Sequence, residues 1–167
     1  IVVGFPIFGQ SNSGQIRPRA FNPLDALPPQ EWKQVENSVD RALAWLEANR
    51  PEDEGRPVLN WGDARLGNTM FRGGRPVAVL DWEMAALGPR EVDLAWMLFL
   101  HDFFVDLAVR MMGAESVMPD FMRRADLVRT YEARSGHRVQ HLEFWEVFGA
   151  LRFAVISTRT SARAIAY

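Results

Sequence analysis

The chain has 167 residues, with 19 Lys and Arg against 21 Asp and Glu, for a net charge of −2. Hydrophobic residues make up 48%, and there is no cysteine. This balance fits one soluble globular domain with an adequate core. It excludes disulfides and thiolate metal sites, and it argues against both a nucleic-acid groove and a membrane surface as partner. A cysteine-free chain suits a reducing cytoplasm, which is the expected location.

Residues 1–28 are rich in Gly, Pro, Ser and Asn and read as an extended lead-in segment. The apolar run from Ile1 to Phe8 is broken by Gly4 and Pro6, is too short to span a bilayer, and has no basic segment before it. The chain opens on Ile1 rather than Met, which is expected of a fragment, a processed product or a sequence giving only the ordered residues. After Pro28 and Pro29, Trp32, Val35, Val39, Ala42, Leu43 and Leu46 recur at three- and four-residue steps, which predicts a helix with one apolar face. Pro51 ends it, and Gly55 and Pro57 reinforce the break.

Three short strands are predicted next, over 57–61, 69–71 and 76–80, with Gly73-Gly74 as the hairpin turn between the last two. From Arg90 the pattern turns helical, with helices expected near 90–112, 117–135 and 141–164. The apolar stretch from Leu94 to Leu100 stops at His101 and Asp102 and reads as a buried helix. Trp82, Trp96, Phe99, Phe103 and Phe104 read as core aromatics. Met111, Met112, Met118 and Met122 suit either core filling or a flexible apolar surface. His137 and His141 stand four apart, but they sit at a helix start with no acidic motif, so they do not read as a zinc site.

Chemistry concentrates in the β region. Asp63 lies in a loop just past the first strand, Arg65 follows by two residues and Asn68 by five, and the third strand ends on Asp81. A carboxylate at a strand exit, beside a loop carrying Asp and Asn, is the donor type that Mg²⁺ takes. A carboxylate to orient a hydroxyl, oxygen ligands for a metal and a nearby cation are also what phosphoryl transfer requires. Glu83 adds an acid that serves equally as a metal ligand or as a solvated side chain. Glu143 and Glu146 fit an acceptor-binding face or a solvated one.

The run Trp61-Gly62-Asp63 through Asn68, followed by a hairpin and Val77-Ala78-Val79-Leu80-Asp81-Trp82-Glu83, resembles the aminoglycoside phosphotransferase and choline kinase group. That group reads H-G-D-x-x-x-x-N and has a protein-kinase-like fold. Leu87-Gly88-Pro89-Arg90-Glu91-Val92-Asp93-Leu94-Ala95-Trp96 matches the segment that follows the metal-binding Asp. The likeness is greatest to the kinase-like domains fused to acyl-CoA dehydrogenases, and it is firm over residues 58–100.

The resemblance implies an α+β, mostly α fold: the C-terminal lobe of a protein-kinase-like fold with a small β-hairpin region. This lobe spans 29–167, with its catalytic loop over 57–83. The resemblance makes Asp63 the catalytic base and Arg65 the cation near the transferred phosphate. Asn68 and Asp81 become the nucleotide and Mg²⁺ ligands, with Glu83 as a further metal candidate. Trp61 and Asp93 become supports of the catalytic loop.

The implied function is Mg²⁺-dependent transfer of the γ-phosphate of ATP or GTP to a small-molecule hydroxyl. The acceptor could be an aminoglycoside, a choline-like alcohol or a hydroxyacyl-CoA. Trp61 stands where the family has His, and no Gly-x-Gly-x-x-Gly occurs. The only lysine is Lys33. The nucleotide-gripping N-terminal lobe is therefore expected as a missing partner, and a catalytically inactive kinase-like binding module is the alternative.

Overall fold

The computed structural model describes residues 29–112 and 120–165, with side chains for 37–110 and 120–157. The lead-in expected over 1–28 lies outside the described residues, and the side chains of Trp32 and Val35 of the first apolar face lie outside those described. Helix α1 (Pro29–Ala48) opens on a proline, whose missing N–H costs nothing in a first helical turn. Four short strands follow: β1 (Val58–Asn60), β2 (Thr69–Arg72), β3 (Arg75–Val79) and β4 (Ala86–Gly88). Helices α2 (Glu91–Met112), α3 (Arg124–Ser135) and α4 (Leu142–Ile165) complete the chain. The architecture of the described residues is mostly helical with two small sheets.

The described residues fall into two compact units. One comprises residues 49–150 and the other combines residues 29–48 with 151–165. In the smaller unit, Leu46 is the buried anchor of α1, whereas Leu43 remains 45% exposed.

The larger unit is organised on α2. Glu91 and Asp93 occupy its first turn and Arg110 its last, which complements the helix dipole at both ends. Leu94, Ala95, Trp96, Leu98 and Leu100 are buried along it, which accounts for the continuous apolar stretch read from the sequence. Gly149 on α4 faces Trp96: a Cβ there would lie at an ordinary contact distance of 3.6 Å from Cε3 of Trp96. Trp145 is buried one turn earlier on α4. Trp82 and Phe104, by contrast, are 48% and 42% exposed and do not belong to the core. Among the described residues, no helix is long and apolar enough to cross a membrane.

The strands form two antiparallel pairs. β2 and β3 make the hairpin, and Gly73 and Gly74 both take positive φ (57° and 74°), the geometry of a type I′ turn. Its register shifts after Met70. Met70 faces Ala78 and Phe71 faces Pro76, so Val77 is an extra residue that bends the strand. β1 pairs with β4, with Leu59 opposite Leu87. β4 is not predicted from sequence. It has three residues between a turn and Pro89, too few for alternation to show.

α3 starts at Arg124 rather than near 117. Met122 takes a φ of 55°, which no helix can continue through, and Arg123 bonds to Asp126 at 2.7 Å across the new first turn. α3 closes on Gly136 in the left-handed conformation. Leu98 is 1% exposed at the centre of α2. Leu98→Ala is expected to cost about 2–5 kcal/mol in urea unfolding, through lost burial and the cavity left behind.

Candidate active site

The site begins where β1 runs out. Gly62 has a φ of 90°, and a Cβ at this position would fall 2.1 Å from the carbonyl oxygen of Met84. Only glycine fits both the conformation and the space. The two amides at this bend point at one carboxylate. Trp61 N–H donates to Asp93 Oδ2 at 2.6 Å, and Gly62 N–H donates to Asp93 Oδ1 at 2.8 Å. The strand exit is thus fixed to the first turn of α2 by two charge-assisted hydrogen bonds.

Asp63 comes next and is the hub of the loop. Its Oδ2 accepts from Arg65 Nε at 2.8 Å and from Asn68 Nδ2 at 2.7 Å, and its Oδ1 accepts from Trp96 Nε1 at 2.9 Å. Burial raises the carboxyl pKa, but the bonds from Arg65, Trp96 and Asn68, together with the Arg65 charge, outweigh it and hold the pKa below its ordinary value. Asp63 is therefore ionised at neutral pH. A depressed acid stabilises the fold above the ordinary carboxylate range, and this contribution disappears only as pH falls through its lowered pKa.

A single 3₁₀ turn, Leu66–Asn68, brings Asn68 back to Asp63. Asn68 is buried and uses its amide nitrogen on Asp63, which leaves a hard amide oxygen of the kind Mg²⁺ accepts. The hairpin then delivers Asp81. Thr69 pairs with Val79, and Leu80 N–H donates to the Asn68 carbonyl at 2.8 Å. Asp81, the next residue, consequently emerges beside the Asn68 turn. It has a φ of 63°, a left-handed conformation that Asp tolerates better than most residues and that often accompanies function.

Trp61 fastens the exit of the hairpin. Its indole N–H lies 2.7 Å from the Leu80 carbonyl and 3.1 Å from that of Asp81. Its ring stands 6.1 Å from that of Trp82, whose own N–H donates to Val79 O at 3.0 Å. Glu83 is exposed, in the turn closed by Ala85 N–H on Trp82 O at 3.0 Å. Among the described residues, no three or more His, Asp or Glu group into a metal cage. The donor set here is instead an amide and a carboxylate, which suits an ion that keeps waters and substrate oxygens in its shell.

The structure thus brings Asp63, Arg65 and Asn68 into direct contact and sets Trp61, Asp81 and Asp93 around them. Trp96 is the site residue that sequence reasoning misses, because its helical spacing reads as core. The available signal is its place three residues after Asp93, on the same helix face. Elsewhere, His137 Nε2 lies 2.8 Å from Glu91 Oε1, and Glu146 is ion-paired with Arg124. Replacing Gly62 with Ala is expected to destabilise the chain by about 4 kcal/mol or more, since both backbone strain and a main-chain clash must be relieved. Trp61→Phe keeps the ring contact and loses the bond to the hairpin, for an expected loss of about 1 kcal/mol; chemical denaturation checks both values.

Comparison with known proteins places the chain in a family. Residues 12–135 match the model of a phosphotransferase enzyme family. Acyl-CoA dehydrogenase family member 11 of Mus musculus is 29% identical over 121 residues, covering 70% of this chain and 15% of that protein. The Gallus gallus protein of the same name is 32% identical over 82 residues, covering 48% and 10%. A crystal structure from Ralstonia eutropha, of a protein assigned as an aminoglycoside phosphotransferase, superposes with a TM-score of 0.58 at 25% identity. That match covers 79% of this chain and 43% of the other. The chain therefore spans a small part of the first relatives and less than half of the solved structure. With its Asp63–Asn68 loop and kinase-like architecture, the chain belongs to the phosphotransferase enzyme family.

Proposed function

We propose that the complete protein transfers the γ-phosphate of ATP or GTP to a hydroxyl of a small molecule. The observation that carries this reading is the Asp63 carboxylate, held ionised by three donors at the mouth of the loop that also presents Arg65 and Asn68. Asp63 orients the acceptor hydroxyl and takes its proton as the new oxygen–phosphorus bond forms. The bond from the γ-phosphorus to the bridging oxygen breaks, and the nucleoside diphosphate leaves with that electron pair. Arg65, 42% exposed on its side chain, offers positive charge next to the base.

Asn68 and Asp81 are the residues that would hold Mg²⁺, with Glu83 as a further candidate. When bound, the ion would offset charge on the phosphate oxygens. The family membership supports a hydroxyl-type acceptor. Likeness to proteins named for acyl-CoA dehydrogenases favours a hydroxyacyl-CoA, and likeness to a protein assigned as an aminoglycoside phosphotransferase favours an amino sugar. The absence of cysteine suits a cytoplasmic setting.

The same protein needs a part that grips the nucleotide. Met70, Phe71, Val77, Val79 and Leu80 of the hairpin region are 40% exposed or more. An apolar cluster of this kind suits coverage by a further N-terminal lobe. We expect the 167-residue chain alone to bind Mg²⁺-nucleotide more weakly than micromolar; micromolar affinity in calorimetry would remove the need for that lobe. In the full-length protein, Asp63→Asn is expected to lower kcat by about 10²-fold or more while nucleotide affinity changes little. Unchanged turnover would remove Asp63 as the base, whereas no turnover in the full-length wild type would favour a kinase-like binding module.

A further inference from the structure

We propose that Trp96 is a positioning residue for the phosphotransfer reaction, its indole N–H fixing the Asp63 carboxylate so that Oδ1 is the oxygen presented to the acceptor hydroxyl. This deepens the function proposed above and rests on Asp63 being the base. A carboxylate offers about four lone-pair positions. On Asp63, Oδ2 already accepts from both Arg65 and Asn68, whereas Oδ1 accepts from Trp96 alone. The remaining capacity to receive a proton therefore lies on Oδ1, the atom that Trp96 holds at 2.9 Å.

The holder is itself buried and packed. Trp96 is 4% exposed, its ring stands 6.3 Å from that of Phe99, and α4 lies over its Cε3 edge at Gly149. Arg65 and Asn68 belong to the same loop as Asp63 and move with it. Trp96 belongs to α2, as does Asp93, which fixes the loop backbone through Trp61 and Gly62. One helix face thus holds the loop twice, once by its main chain and once by its reacting side chain. Without the indole N–H, the carboxylate keeps its partners on Oδ2 but can turn about them, which is a loss of orientation rather than of charge.

The test is Trp96→Phe in the full-length protein, which retains the ring and deletes the donor. The expected result is a kcat lower by about 10- to 100-fold, with KM for nucleotide and acceptor within about 2-fold of wild type. Added to Asp63→Asn, the same change is expected to lower residual turnover less than about 2-fold, because the two residues act as one unit. A purely structural Trp96 would raise KM along with kcat loss, or would cost the same factor in both backgrounds, and either result overturns the proposal. Full kcat in Trp96→Phe overturns it too. If Asp63→Asn itself retains turnover, the parent reading fails first.

Should Trp96→Phe not fold, the indole ¹⁵N–¹H resonance of Trp96 in wild type and in Asp63→Asn decides. An upfield move of the indole proton on losing the carboxylate is expected, and an unmoved resonance overturns the assignment.

Discussion

The carboxylate of Asp93 is the constraint on which the rest of the site depends. Two adjacent backbone amides, those of Trp61 and Gly62, converge on its two oxygens at 2.6 and 2.8 Å. Adjacent amides do not point the same way in a strand, so the chain must bend there, and the bend requires the positive φ of Gly62. The position of Asp63, immediately after the bend, is therefore set by helix α2 rather than by β1. A short strand of three residues could not hold a reacting group in place by itself. Docked onto a buried helix turn, it can.

The second consequence concerns the residue that departs from the family pattern. An indole is larger than an imidazole and has one donor and no acceptor. In this chain that single donor is directed at the carbonyls of Leu80 and Asp81, so the larger ring spans from the β1 exit to the end of the hairpin. Trp82 packs nearby and bonds back to Val79. Tryptophan at 61 thus ties the loop bearing Asp63 to the segment bearing Asp81. The left-handed backbone of Asp81 is held within this bracket, where strain at one residue can be offset by bonds on either side.

Much of this was legible in the chain, for identifiable reasons. The hairpin announced itself through Gly73-Gly74, which permits the twist that antiparallel strands need, and α2 through its unbroken apolar stretch. The contact between Asp63, Arg65 and Asn68 is local, closed by one short turn, and local spacing carries such information well. What spacing did not carry was long-range. Trp96 lies 33 residues from Asp63, and a buried tryptophan with an apolar ring looks the same in sequence whether its N–H meets a core carbonyl or a site carboxylate. β4 was hidden because its three residues pair with β1 across a long separation and are too few to show alternation. The delayed start of α3 depends on the positive φ of Met122, a backbone choice that its side chain does not advertise.

The geometry of the site depends on α2 holding the loop. Amide hydrogen exchange at Trp61 and Gly62, compared between the wild-type protein and Asp93→Asn, measures that directly. An Asn at 93 has one acceptor oxygen for two amides, so the account predicts that at least one of them exchanges about 10-fold faster in the variant, the factor that corresponds to losing roughly 1.4 kcal/mol. Equal exchange rates at both amides in the two proteins would contradict it.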